Sequence, residues 1–173
     1  MAWINDNRAL SEAEMQNNAL LFYNNLKGAG ASINLISGIL GNAQSESTIN
    51  PGRTEVGGGG GYGLLQWTPA SKLIDWCNAN GLNPADGDAQ CARIRFEKDT
   101  GIQWGATGSY SLSFAQAWTS GESPEYLASA FLYNYERPLD PGATEIYRQS
   151  QARYWYNYLQ QHSGVYIVRW ISA

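Results

Sequence analysis

The chain has 173 residues, of which 43% are hydrophobic and 15% are charged, and its net charge is −4. This length suits one domain with a core of useful size. Without a run of Lys or Arg we expect no nucleic-acid partner, and no stretch approaches the ~20 apolar residues of a membrane span. The segment Met1–Asn7 has neither the basic nor the apolar region of a signal peptide, so we expect none there.

Two helices are predicted in the first fifty residues, after a loose arm over 1–10. The first begins at a capping box formed by Ser11 and Glu14 and ends near Gly28. The second covers about 32–46, because apolar side chains recur there at helical spacing: Ile33, Leu35, Ile36, Ile39 and Leu40. Pro and Gly at 51–52 prevent it from continuing.

The segment from about 50 to 67 is the part of this region with β character, and it contains five consecutive glycines, Gly57–Gly61. Glycine accepts a positive φ, so these residues fit the tip of a flexible β-hairpin. They equally fit a mobile lip beside a long substrate. Both interpretations can hold together, and we assign no chemistry to the glycines themselves.

Five further helices are predicted in the rest of the chain. Thr68 is the expected N-cap of the first of them, with Pro69 at its first position. They cover approximately 69–80, 88–98, 111–118, 124–132 and 143–160. The segment 165–170 is predicted to be a strand. The domain is therefore expected over 1–160, with 161–173 as a C-terminal extension or the start of a linker.

The cysteines and the histidine narrow the possible chemistry. Cys77 and Cys91 could pair, but a chain of this size needs no disulfide, and we favour free thiols. With His162 as its one histidine, the chain is a poor candidate for a zinc amidase or metallopeptidase. A cysteine peptidase would need a cysteine beside His162, which is predicted to lie in a polar tail past the last helix. We expect no metal and no cofactor.

Glu46 stands at the C-terminal end of the second predicted helix. The helix dipole is negative there, so a carboxyl backed by apolar residues should have a raised pKa and could hold a proton near neutral pH. Such a group is suited to general-acid catalysis. By position alone, a solvated surface glutamate is the more common outcome.

The motif around Glu46 favours the catalytic interpretation. Glu46-Ser47 followed by Gly63-Leu64-Leu65-Gln66 resembles the lysozyme and lytic transglycosylase superfamily. The longer segments 41–52, 63–71 and 135–138 resemble the phage tail lysozyme family, and the resemblance covers about 11–159. It implies an α+β, mostly α, lysozyme-like fold with a small glycine-rich β-hairpin beside the active-site cleft.

The resemblance also implies an activity: cleavage of the β-1,4 bond between N-acetylmuramic acid and N-acetylglucosamine in peptidoglycan. Glu46 would be the acid. Glu55 is slightly preferred over Glu136 as the second carboxylate, and a base across the cleft with room for a water would make the enzyme inverting. Goose-type lysozymes, which are similar, have an Asp where this chain has Thr68, so that carboxylate is absent.

Further residues are expected at the glycan by the same resemblance, each with an equally good interpretation as a packing residue: Gln66, Tyr62, Trp67, Asn134 and Tyr135. Two alternatives stay open, a lytic transglycosylase that gives anhydro-muramyl ends and a non-catalytic peptidoglycan-binding tail module. Expected partners are peptidoglycan glycan strands, with phage tail proteins or a C-terminal wall-binding domain as further possibilities. The expected location is the virion tail, or the host cytoplasm before lysis.

Overall fold

The computed structural model describes residues 1–55 and 57–162, and the predicted strand over 165–170 lies outside them. The described part is mostly helical, as predicted. It contains seven α-helices and one π-helical turn: α1 (Glu12–Gly28), α2 (Ile33–Ser47), α3 (Ser71–Ala79), α4 (Gly87–Thr100), α5 (Phe114–Trp118), α6 (Pro124–Phe131), the π-helical turn (Leu132–Glu136) and α7 (Gly142–His162). None of these helices is both long and apolar enough to cross a membrane.

Helix α2 lies at the centre of the fold and packs against α1, α6 and α7. The apolar side chains that predicted it are mostly buried, and ten of its positions are closed to solvent, including both of its glycines. A Cβ on Gly38 would lie 2.9 Å from the backbone nitrogen of Ala128, and one on Gly41 would lie 2.5 Å from the carbonyl oxygen of Arg148. Glycine therefore lets α6 and α7 approach the α2 backbone directly.

Most helix starts follow the capping chemistry read from the sequence. Ser11 and Glu14 form the expected capping box, and Ser32 accepts a hydrogen bond from the backbone of Leu35. The predicted start of α3 is wrong. Its N-cap is Ala70, and the Thr68 hydroxyl instead donates a 2.9 Å hydrogen bond to the Gln66 carbonyl.

The predicted β-hairpin is not confirmed, since the described residues contain isolated bridges and no sheet. Tyr62 pairs with Thr54 on one side and with Trp67 on the other. The Glu55 amide donates to the Gly61 carbonyl at 2.9 Å, which closes the glycine loop without extending a ladder. Glycines have little strand propensity and lose much backbone entropy when ordered, so this segment forms a loop with short contacts.

The N-terminal arm is not loose, contrary to the prediction. The buried amide of Asn50 donates to the carbonyl oxygens of Asp6 at 2.6 Å and Arg8 at 2.7 Å. The indole of Trp3 lies directly against Gly87 at the start of α4. These contacts join residues that are far apart in the sequence. The helical spacing of apolar side chains therefore does not predict them.

Helix α6 continues into the π-helical turn one residue earlier than the predicted helix end. The backbone N–H of Arg137 donates to the Leu132 carbonyl at 2.8 Å, and Arg137 itself has a φ of 51°. A π-helical turn widens the helix locally and is common at functional sites. Here it brings the consecutive residues Tyr135 and Glu136 to the same cleft.

Candidate active site

A cleft of about 530 Å³ lies between the end of α2, the segment 55–72 and the π-helical turn. Six of the eight residues that the sequence analysis selects line it: Glu46, Glu55, Gln66, Trp67, Tyr135 and Glu136. Two basic side chains, Lys72 and Arg137, also line it. The cleft therefore combines three carboxyl groups with two cations and aromatic rings.

Glu46 projects from the last turn of α2 and meets a cation rather than the apolar surroundings expected from the sequence. Arg148 of α7 donates from Nη2 to Glu46 Oε1 at 2.7 Å. The Arg148 side chain is 8% exposed and that of Glu46 is 21% exposed. Arg148 also donates from Nη1 to the Asn42 side-chain oxygen at 2.9 Å, which fixes the guanidinium beside α2. Opposite charges this close stabilise each other strongly when partly shielded from water.

Glu136 has the environment that the sequence analysis expects of Glu46. Its Oε1 atom is buried and has no hydrogen-bond partner in the described structure. Burial raises the pKa of Glu136 well above its usual range, and the negative charge of Glu46 raises it further. The cations Arg148 and Arg137 oppose this shift without reversing it. Burial thus favours the protonated form of Glu136 in this cleft.

Glu55 lies on the rim of the cleft and is exposed. Its Oε2 atom accepts a hydrogen bond from the backbone N–H of Gly61 at 2.8 Å. A Cβ on Gly59 would collide with the same carboxylate. The glycine loop thus folds back around Glu55, and its lack of side chains makes room for that carboxylate.

Trp67 and Tyr135 are held from behind by a buried carboxylate, Glu97 of α4. Glu97 is fully buried, and its Oε1 accepts from the Trp67 indole at 2.9 Å and from Arg93 Nε at 2.8 Å. The Tyr135 hydroxyl donates to Oε2 of the same side chain. Both rings are at most 3% exposed. They form a fixed part of the cleft wall, which limits how far either could move to stack on a sugar.

The side-chain amide of Gln66 hydrogen-bonds to the neighbouring backbone. Its Nε2 donates to the carbonyl oxygens of Arg53 at 3.1 Å and Gly63 at 2.9 Å. Gln66 has a positive φ of 47°, a conformation that tight turns impose on non-glycine residues at some cost. The side chain thus ties the two ends of the glycine loop together at the cleft.

Tyr62 and Asn134 are not among the residues that line the cleft. Asn134 is fully buried, donating to the Tyr110 carbonyl at 2.8 Å and accepting from the Thr107 amide at 3.1 Å. It anchors the loop after α4. Tyr62 is half-buried and contributes the two backbone bridges of the glycine segment. Both residues thus make contacts within the fold, away from the lining of the cleft.

Two residues that hold the side chains of the cleft, Arg148 and Glu97, are not among the residues predicted from the sequence. Both had a signal. Arg148 shares the buried face of α7 with Ala152, Trp155 and Leu159, at helical spacing. Glu97 likewise follows the buried Arg93 by one helical turn on α4. A charge on an otherwise apolar helix face calls for a buried partner, although the spacing does not say which one.

The peptidase alternatives gain no support from the geometry. Cys77 and Cys91 are buried free thiols, and burial raises the pKa of both, which disfavours the reactive thiolate. His162 ends α7, where its ring stacks on Tyr158, and does not lie in a tail past the helix as predicted. Within residues 1–55 and 57–162, no three His, Cys, Asp or Glu side chains are grouped as metal ligands would be.

The chain matches the model of the phage tail lysozyme family over residues 17–159. The chain belongs to the phage tail lysozyme family. It is also similar to Morphogenesis protein 1 of Bacillus phage B103, with 41% identity over 157 residues. That match covers 88% of this chain and 42% of the relative, so the chain spans less than half of that protein's length.

Membership of the phage tail lysozyme family implies a peptidoglycan-degrading enzyme. The matched segment contains all the described cleft residues, from Glu46 to Pro138, and also Arg148. The cleft is thus part of what the chain shares with the family.

Proposed function

We propose that the protein is a muramidase, a glycoside hydrolase that cleaves the β-1,4 bond between N-acetylmuramic acid and N-acetylglucosamine in peptidoglycan. The observation that carries this proposal is the pair of carboxyl groups in one cleft, Glu46 beside a cation and Glu136 with a buried oxygen, Oε1, that has no hydrogen-bond partner among the described residues. Glycoside cleavage needs a proton at the leaving oxygen and a negative charge near the oxocarbenium-like sugar, and such a pair can supply both.

Glu46 is the acid that reaches the substrate in this proposal, and Glu136 is the source of its proton. Burial raises the pKa of Glu136 well above its usual range, so Glu136 can hold a proton at a pH where an isolated glutamate would have lost it. Arg148 offsets the remaining negative charge from behind Glu46.

Glu55 is the proposed general base. It is exposed on the rim of the same cleft, where a water molecule has access to it. A base that activates water on the opposite side of the sugar from the acid gives inversion, which requires carboxyl groups roughly 6.5–9.5 Å apart. Gln66, Trp67 and Tyr135 would then shape the wall against which the glycan lies.

The decisive experiment is Glu46→Gln, assayed for lysis of purified cell walls and for wall binding by co-sedimentation. We expect lysis to fall by roughly 10²–10⁴-fold, because proton transfer in the transition state is worth that much, while binding is retained. Glu122→Gln is the matched control, since Glu122 is an exposed glutamate away from the cleft. Undiminished lysis by Glu46→Gln would refute the proposed acid. Wall binding by a wild-type protein that does not lyse would identify a non-catalytic tail module instead.

A lytic transglycosylase is the second candidate, and the position of Glu55 favours it. The Glu55 carboxylate is exposed and held by the glycine loop, which is a weakly constrained position for a base. In transglycosylation the 6-hydroxyl of the sugar attacks, and one acid suffices. Mass spectrometry of the products separates the two reactions, because anhydro-muramyl ends exclude simple hydrolysis. Glu55→Gln should abolish lysis in a hydrolase and leave it nearly unchanged in a transglycosylase.

The proposed setting is the virion tail, where the enzyme would open the bacterial wall during penetration. The family match and the likeness to a phage morphogenesis protein support this setting over release at host lysis. Tail proteins or a wall-binding domain would be its partners there. Immunoblotting of purified virions tests the proposal, since a lysis enzyme would be absent from the particle.

A further inference from the structure

A second groove lies on the face formed by α1, α2 and α7. Two adjoining cavities, of about 310 and 390 Å³, share four lining residues, Met15, Gln44, Tyr147 and Gln151, and so form one groove. None of the carboxyl residues of the catalytic cleft lines it. We call it the α7 groove.

Gln151 lines both cavities of the α7 groove, and its amide is unsatisfied. Gln151 is 7% exposed, and its Oε1 accepts a 2.8 Å hydrogen bond from the Ser45 hydroxyl. Its Nε2 is buried and has no hydrogen-bond partner in the described structure. Leaving a buried donor unpaired destabilises a fold, so this amide calls for an acceptor from outside the described chain. A ligand in the groove could supply that acceptor.

The other groups of the groove indicate what kind of ligand would fit. Tyr147 is 62% exposed and Tyr154 is 39% exposed, so aromatic surface is open to a partner. Trp155 lines the groove, and its indole donates to the Gln44 side-chain oxygen at 2.9 Å. Exposed aromatic rings beside amides and hydroxyls are suited to a sugar, which has apolar ring faces and neutral polar edges.

The two charged groups that line the groove, Glu12 and Arg148, already have hydrogen-bond partners within the protein. Glu12 accepts a 2.7 Å hydrogen bond from the Tyr154 hydroxyl. Arg148, which also lines the groove, is in an ion pair with Glu46. The chemistry that remains for a ligand is neutral hydrogen bonding and stacking.

We propose that the α7 groove is a second, non-catalytic glycan-binding site that takes an N-acetylated hexosamine of the wall polysaccharide. The acetamido carbonyl would accept from Gln151 Nε2, and the sugar ring would lie against Tyr147. Ser45 lines this groove and Glu46 lines the cleft, so the two sites lie on different sides of the last turn of α2. Because its ligand is the same polymer, this inference rests on the proposed function. A second contact would keep the enzyme on the wall between cleavage events.

The test is an NMR titration that reads the two sites separately. ¹⁵N-labelled protein carrying Glu46→Gln is titrated with the β-1,4-linked tetramer of N-acetylglucosamine. The Gln66 amide and the Trp67 indole report on the cleft, and the Gln151 amide and the Trp155 indole report on the groove. We expect both sets of signals to shift, with separate saturation curves. The wild-type protein, titrated at low temperature, checks that the substitution has not altered the groove.

Tyr147→Ala should weaken binding at the groove roughly two- to tenfold, the range expected for one aromatic contact, and should leave the cleft signals unchanged. Ile146→Ala is the matched control, because Ile146 is 80% exposed on the same helix and does not line the groove. Shifts confined to the cleft signals would contradict glycan binding in the α7 groove and leave the proposed function unaffected. Shifts confined to the groove signals would support glycan binding in the α7 groove. They would count against the cleft as a glycan-binding site. No shift at either site would overturn both.

Discussion

The two carboxyl side chains Glu46 and Glu136 lie in one cleft but have different neighbours. Glu46 accepts a hydrogen bond from the guanidinium of Arg148, whereas the buried Oε1 of Glu136 accepts none. An acid and an anion can coexist in a small space when their surroundings separate their protonation states. The difference between these two residues is therefore the source of the proposed chemistry.

Glu136→Gln should change how stability depends on pH. Burial raises the pKa of Glu136 above the ~4.3 of an unfolded glutamate, so the folded state holds a proton that the unfolded state lacks above about pH 4. Wild-type stability therefore falls as pH rises through this window. Glutamine has no such proton, so we expect the variant to gain stability relative to wild type between pH 4 and pH 8.

Urea denaturation at pH 4, 6 and 8 measures this difference, with Glu122→Gln as the control. The control curve should parallel that of the wild type, since Glu122 is exposed. A Glu136→Gln curve that also runs parallel would mean that Glu136 is ionised in the folded protein, and the proposed source of the proton would be lost.

Arg148→Met should destabilise the protein by about 3 kcal/mol, because it leaves Glu46 without its cation in a partly buried place. Arg153→Met is the control on the same helix. Arg153 is 44% exposed in its ion pair with Glu125, and exposed pairs contribute about 0–1 kcal/mol. Chemical denaturation of both variants checks the prediction, and equal losses would contradict it.

At the scale of elements, the contact between α2 and α7 positions the site. Gly41 lets the two backbones meet, and the same contact brings Arg148 to Glu46 and Asn42. Asn42 in turn donates to the Ala128 carbonyl of α6 at 3.0 Å. A polar cluster among three packed helices thus fixes the Glu46 side chain.

Gly41→Ala should destabilise the fold by about 1–3 kcal/mol, because the added methyl would meet the α7 backbone and force the helices apart. Lytic activity should fall as well, since Arg148 would move with α7. Gly28→Ala is the control. It ends α1 with no atom within 4 Å of the added Cβ, so no loss is expected. Thermal unfolding of both variants measures the effect. An unchanged Tm for Gly41→Ala would show that α7 can shift to accommodate the methyl group without loss of stability.

At the scale of the whole molecule, the ends of the described chain are tied to its centre. The N-terminal arm hydrogen-bonds to Asn50 just beyond α2, and α7 packs along α2 itself. Gln90 of α4 adds a further tie, donating to the Pro51 carbonyl and accepting from the Leu64 amide, with 2.7 and 2.8 Å between heavy atoms. The segment between α2 and α3 is therefore clamped on both sides of the cleft.

Removal of residues 1–8 should lower stability by about 2 kcal/mol, since Asn50 would lose two hydrogen bonds and Trp3 would leave α4. For a chain of this size that corresponds to a Tm lower by roughly 4–8 °C. Differential scanning calorimetry measures the shift. The wall-lysis rate at low temperature should persist, because the arm does not line the cleft. An unchanged Tm would support the loose arm that the sequence suggests.

The sequence by itself determined the helical segments and the position of Glu46. Apolar spacing and capping residues such as Ser11 and Ser32 act within a few residues, so local patterns reveal them. The motifs around Glu46 and Gln66 also sufficed to indicate the family. The glycine segment was harder to interpret, because glycine permits many conformations and specifies none.

Only the tertiary structure decided which charges meet. Glu46 and Arg148 lie 102 residues apart, and no local pattern pairs them. The burial of Glu136 likewise depends on a π-helical turn and on side chains from other elements. Protonation depends on the local dielectric and on nearby charges, which exist only once the chain has folded. The sequence therefore indicates the carboxyl groups, and packing decides which of them keeps its proton.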